Sequence, residues 1–85
     1  MFSVGDRVRI SEAYHWAQGA TGTIVEHPWP NLPAGQNFRE VPSLEGLLRF
    51  YRVEFDGPHE DDERDGYRYS SGEIDERYLV AMSAV

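Results

Sequence analysis

The chain has 85 residues, 40% hydrophobic and 27% charged, with a formal net charge of −7. That is room for one domain, residues 1–85, with a modest core, since a chain of this size buries only about 60% of the surface its unfolded form exposes. The absence of cysteine excludes disulfides, thiolate metal sites and thiol nucleophiles, and the negative field works against binding to phosphate backbones.

The basic residues are all arginine and the aromatic residues are numerous: four Phe, five Tyr and two Trp. Each aromatic buries about 150–250 Å², so their first use is to build a small core. The first ten residues carry Asp6, Arg7 and Arg9 with no apolar run, unlike a secretory leader. No stretch approaches the roughly 20 apolar residues of a membrane span. The expected location is the cytoplasm, with no membrane partner.

In chain order, "DRVRI" alternates, with Val8 and Ile10 on one side and Arg7 and Arg9 on the other, as a half-buried strand requires. Val4 is expected to join the inward set. "SEAYHWAQ", residues 11–18, is too short for an independent helix and reads as a structured loop. "GATGTIVE" resumes as a strand, with Ile24 and Val25 both expected in the core and Gly19 and Gly22 suited to a turn or bulge. Pro28, Pro30 and Pro33 then remove backbone donors, so residues 27–48 read as a long loop insertion. Within it, "PSLEGLLRF" allows a short helix over 43–50 with Ser43 as N-cap and Leu44, Leu47 and Leu48 on one face.

"FYRVEFD" is the clearest strand, with Tyr51, Val53 and Phe55 alternating against Arg52 and Glu54. Residues 57–69 read as an acidic hairpin loop. "YRYSSGEID" follows with a turn expected at Ser71-Gly72, then a 3₁₀ turn at "DERYL" and a short last strand. There is no internal repeat. Five short strands argue for a small all-β barrel; the alternative is a three-stranded sheet covered by the 43–50 helix.

"VGDRVRI", "GATGTIVE", "YRVEFD" and "GEIDERYLV" resemble successive strands of an SH3-like barrel of the electron-transport accessory type. "SEAYHWAQGATGTIV" is similar to the matching stretch of the small peripheral barrel subunit of photosystem I. The whole order, with its Pro-bearing insertion, resembles the C-terminal barrel of the nitrile hydratase β-subunit. The resemblance covers most of the chain apart from about 27–48 and 57–69. It implies a five-stranded SH3-like barrel with an accessory role, packing on another protein. In the nitrile hydratase family the metal ligands lie on the partner α-subunit, so no catalytic residue carries over. The α-helical portion of a β-subunit is missing, and the acidic charge differs from a photosystem subunit that receives an acidic electron carrier.

Candidate sites follow from residue type. Asp61, Glu63 and Asp65 with Gly66 match part of a calcium loop, but the twelfth position falls on Gly72, so a solvated hairpin tip is the simpler account and no metal is expected. His15, His27 and His59 are spaced as surface residues. No nucleophile elbow is present, and no enzymatic activity or cofactor is expected. Loop aromatics are typical interface anchors. Tyr14, Trp16, Trp29, Tyr67 and Tyr69 are therefore the candidate partner-binding residues, with Trp16 and Trp29 alternatively covering the barrel ends. Arg7, Arg9 and Arg52 allow a face like that of KOW-type nucleic-acid-binding barrels, or simple cross-strand ion pairs. The function expected is a non-catalytic accessory or protein-interaction module, subunit-like beside a multisubunit enzyme. The alternatives are a KOW-like nucleic-acid binder and a purely structural protein that dimerises.

Overall fold

A computed structural model describes residues 2–60 and 68–82. Its elements are β1 (Arg7–Ile10), β2 (Thr21–Val25), β3 (Phe38–Ser43), β4 (Gly46–Glu60), β5 (Arg68–Asp75), a 3₁₀ turn (Glu76–Tyr78) and β6 (Leu79–Ala81). All strand pairs are antiparallel, in the order β3-β4-β2-β1-β6, with β5 also on β4. The sheet curls into a half-barrel. The all-β reading holds, with six strands among the described residues where five were expected. No helix among the described residues is long and apolar enough to cross a membrane.

β4 organises the sheet. One of its edges pairs with β3 over Gly46–Tyr51 and then with β2 over Arg52–Phe55. The other pairs with β5, with an irregularity between Glu54 and His59 that bends the strand. Alternation and register stack the inward residues in rows: Phe38–Tyr51–Ile74, Ile24–Val53–Gly72 and Val8–Gly22–Phe55. Val8, Ile10, Ile24, Tyr51, Val53 and Ile74 are fully buried. Phe55 and Leu79 close the same core, and Phe2 caps it, its ring edge-on to Tyr51. The Tyr51 hydroxyl accepts from the Phe2 amide and donates to Glu76, so its polar end is satisfied inside the core.

Several expectations need correction. Residues 38–48 are not loop, and no helix forms over 43–50. β3 and β4 make a tight hairpin, Ser43 opposite Gly46. The Ser43 hydroxyl accepts from the Glu45 amide and donates to the Gly46 carbonyl, a turn role rather than a helix cap. Gly46 has φ 110°, which no helix accommodates. Pro42 is tolerated because β3 is an edge strand needing no donor on its open side. Leu44 and Leu47, read as a helical face, are exposed at the hairpin end. The true insertion is the loop over 26–37, and the stretch 57–69 is not all loop, since β4 continues to Glu60 and β5 begins at Arg68, with His59 opposite Tyr69.

Ser71 and Gly72 are not a turn: they lie within β5, opposite Glu54 and Val53. Val25 is only half-buried, because alternation that sends Ile24 inward must send Val25 outward. Val4 is 57% exposed, lying before β1 begins. The expected 3₁₀ turn is present, with the Asp75 carboxylate accepting from the Arg77 amide. The short last strand is also present, β6 pairing with β1.

Candidate functional site

The loop aromatics divide into two groups. Tyr14 is buried, its ring 5.0 Å from Tyr78. The Ser11–Gln18 loop that carries it is tied down by the Ser11 amide on the Tyr78 carbonyl. Ala17 adopts φ 57° and buries its own methyl, while Trp16 beside it lies over the sheet. The Trp16 ring packs 5.7 Å from Phe55 and 5.5 Å from Tyr69. Gly72 is what admits it: a Cβ there would stand 2.5 Å from the indole. Tyr14 therefore belongs to the core, and Trp16 and Tyr69 pack against it. Tyr67 and the acidic-loop residues Asp61, Glu63 and Asp65 lie outside the described residues, as does the side chain of His59.

Trp29 is different. It is 53% exposed, yet its position is fixed from beneath. Pro28 and Pro30 on either side restrict the backbone. His27, expected at the surface, is buried, and its Nδ1 accepts the Trp29 amide at 3.2 Å. Its Nε2 lies 2.8 Å from Glu73 Oε2. A nitrogen that accepts at Nδ1 leaves the proton on Nε2, so these partners assign the neutral Nε2–H tautomer. Arg39 Nε donates to the same Glu73 oxygen at 2.8 Å. Its guanidinium then lies 5.2 Å from the ring centres of both Trp29 and Phe50, within cation–π range. Burial pushes the Glu73 carboxyl up; hydrogen bonds from Arg39 and His27 outweigh it and hold the group below its usual range.

Three strands and a loop thus converge on one exposed indole. Beside it runs a groove of about 370 Å³, lined by Trp29, Pro30, Leu32 and Pro33 with Gln36 and Glu40 on its polar side. Trp29 was visible in the sequence as a loop aromatic. His27 was missed, although the spacing "HPW" places an acceptor two residues before the Trp29 amide. Arg39 and Glu73 carried no local signal, because only the sheet register brings them together.

Of the three arginines that could share a basic face, Arg7 is paired with a carboxylate among the described residues, whereas Arg9 and Arg52 are not. Arg7 makes a two-pronged ion pair with Asp56, both distances 2.6 Å, and also donates to Thr23. Arg7, first, and the Thr21 hydroxyl hold the Asp56 carboxyl down at about 2. Arg52 donates to Ser71, Arg49 pairs with Glu76, and Arg77 pairs with Asp75 and Glu45. No cluster of three or more His, Asp or Glu among the described residues is arranged to hold a metal ion.

Comparison with protein-family models, with curated proteins and with solved structures finds no match to this chain.

Proposed function

We propose that the chain is a non-catalytic, SH3-like interaction module that docks on a protein partner through the Trp29 face, in the manner of an accessory subunit of a larger enzyme. The observation that carries this is the combination of exposure and fixation at Trp29. An indole held in place while free loses little entropy on binding, and Trp is the residue type most enriched among interface anchors. The passage from β5 through a 3₁₀ turn into a strand paired with β1 supports an SH3-like barrel, as do the stretches that resemble the nitrile hydratase β-subunit. A nucleic-acid role is the weaker reading, because Arg7, Arg39, Arg49 and Arg77 are each paired with a carboxylate.

The test is a photo-crosslinking amino acid, p-benzoylphenylalanine, placed at position 29 in the producing cells, with position 4 as an exposed control. The expected result is a discrete protein adduct from position 29 and none from position 4. An adduct with nucleic acid, or identical behaviour at the two positions, overturns the proposal.

A further inference from the structure

We infer that the Trp29 groove receives a basic, extended segment of a protein partner, with an arginine or lysine side chain lying along the indole and its charge meeting Glu40. This rests on the reading of Trp29 as an interface anchor and specifies what docks there.

The argument is one of charge complementarity. Among the described residues, Asp56, Glu73, Asp75, Glu76 and Glu45 all have an arginine partner. Glu40 and Glu26 have none, nor do Asp6, Glu12 and Glu54, but only Glu40 and Glu26 of these five line the hollows at Trp29. These two carboxylates flank Trp29 on the two sides of the 26–37 loop: Glu40 beside the apolar groove and Glu26 beside a second hollow that also touches Trp29. Arg49, the residue opposite Glu40 in the hairpin, is directed to Glu76 instead. Arg39 already occupies one side of the indole, but Glu73 neutralises it. The local charge presented by the groove is therefore negative, set beside a largely apolar floor.

A long basic side chain fits both halves of that surface. Its methylene stem covers Trp29 and Leu32 while its charged head reaches the carboxylate, and the indole adds a cation–π attraction. An acidic segment or a nucleic-acid strand meets unpaired carboxylates in a chain already at −7. The occupant is a side-chain-reading segment rather than an added strand, since Pro28, Pro30 and Pro33 remove the donors that a new strand would pair with along this loop, and Pro42 removes one from the open edge of β3.

The experiment follows the Trp29 indole N–H by two-dimensional NMR, assigned by its loss in Trp29→Phe. The probe is a blocked octapeptide of alternating proline and arginine. Its counterparts are the same peptide with citrulline for arginine, which keeps the shape and removes the charge, the same peptide with glutamate for arginine, and oligouridylate. The expected result is a saturable shift of the Trp29 signal with the arginine peptide. Affinity falls about fivefold with citrulline, which loses the ion pair and the cation–π contact, and about two- to fivefold in Glu40→Gln, a surface change whose folding is checked by its melting temperature. Equal binding of the citrulline peptide, or an unaffected Glu40→Gln, overturns the basic partner while leaving Trp29 an anchor. No shift with the arginine peptide also overturns it, and the reading of Trp29 itself then stands or falls by the cross-linking experiment. Tighter binding of the glutamate peptide or of oligouridylate overturns both.

Discussion

Gly72→Ala tests how Trp16 packs on the sheet. The backbone φ at this position is not in the left-handed region, so alanine is sterically acceptable to the chain itself. The obstacle is Trp16. The new Cβ would lie 2.5 Å from Cζ3 and 2.7 Å from Cη2 of the indole, with Phe55 Cζ at 3.6 Å. Ordinary carbon contacts begin near 3.5 Å, so the ring must retreat by about 1 Å. It cannot do so freely, because Phe55 and Tyr69 hold it. Forcing a methyl into such packing costs about 1–3 kcal/mol. Reduced freedom of the unfolded chain returns about 0.4–1 kcal/mol. The net loss is about 1–2 kcal/mol, a fall in Tm of about 5–15 °C for a domain of this size. In a Trp16→Ala background the obstacle is gone, and Gly72→Ala becomes neutral or slightly stabilising. Urea unfolding of the four proteins of this cycle gives a coupling of at least ~1 kcal/mol if the contact is the cause. Additivity within about 0.5 kcal/mol would refute the reasoning.

Trp16 and Trp29 should separate cleanly: Trp16→Ala lowers stability by about 2–4 kcal/mol, whereas Trp29→Ala, half exposed, changes it by less than ~1 kcal/mol in the same urea assay. Tyr51→Phe strands the Phe2 amide and removes the hydrogen bond to Glu76, so a loss of about 1–2 kcal/mol is expected by thermal or urea unfolding. The Asp56 carboxyl, lowered from 3.8 to about 2, has a depressed folded-state value. Its contribution to stability is therefore fully present above pH 3.8 and is lost as pH falls towards 2. Carboxyl-detected NMR titration should find that low midpoint, and Arg7→Gln should move it back towards the ordinary aspartate range; an unchanged midpoint would show that Arg7 is not its cause.

The strands that alternate cleanly were legible: β1, the Tyr51–Phe55 part of β4, and the short β6 after its 3₁₀ turn. Their period of two is imposed locally by the pleat. The β3–β4 hairpin was not, because its sequence carries conflicting local signals. Leu44, Leu47 and Leu48 fit a helical spacing, Pro42 argues against a strand, and Ser43 fits a helix cap as well as a turn. What decides is non-local. β4 continues without interruption from Tyr51 back to Gly46, and Phe38 joins the buried row of Tyr51 and Ile74. Once Phe38 is placed there, the hairpin register follows, and Pro42 falls on the open edge. The Ser71-Gly72 misreading has a related origin. Such a pair marks a turn in isolation, but here the glycine is selected by an indole arriving from a loop more than fifty residues earlier in the chain.

The same distinction governs the site. Composition alone cannot tell a core aromatic from an interface aromatic, since both are large and apolar. Tyr14, Trp16, Tyr69 and Trp29 look alike in the sequence, although Tyr69 lies in β5. The first three pack on the core: Trp16 over Gly72, Tyr69 against Trp16, and Tyr14 against Tyr78 of the 3₁₀ turn. Trp29 meets polar groups instead, with His27 edge-on at 6.0 Å and the Arg39 guanidinium against one side. A hydrophobic plug would be expected to exclude such groups, because burying them costs free energy unless every hydrogen bond is made. Here the key ones are made, by Glu73, Arg39, His27 and the Trp29 amide. The network thus supports an indole at the surface. A barrel that needed Trp29 only for its core would turn it inward, and the polar shelf beneath it would then have no stabilising purpose. That is why Trp29 separates from Tyr14, Trp16 and Tyr69 as an aromatic that is held in place yet half exposed, and why the proposed docking face is placed on it.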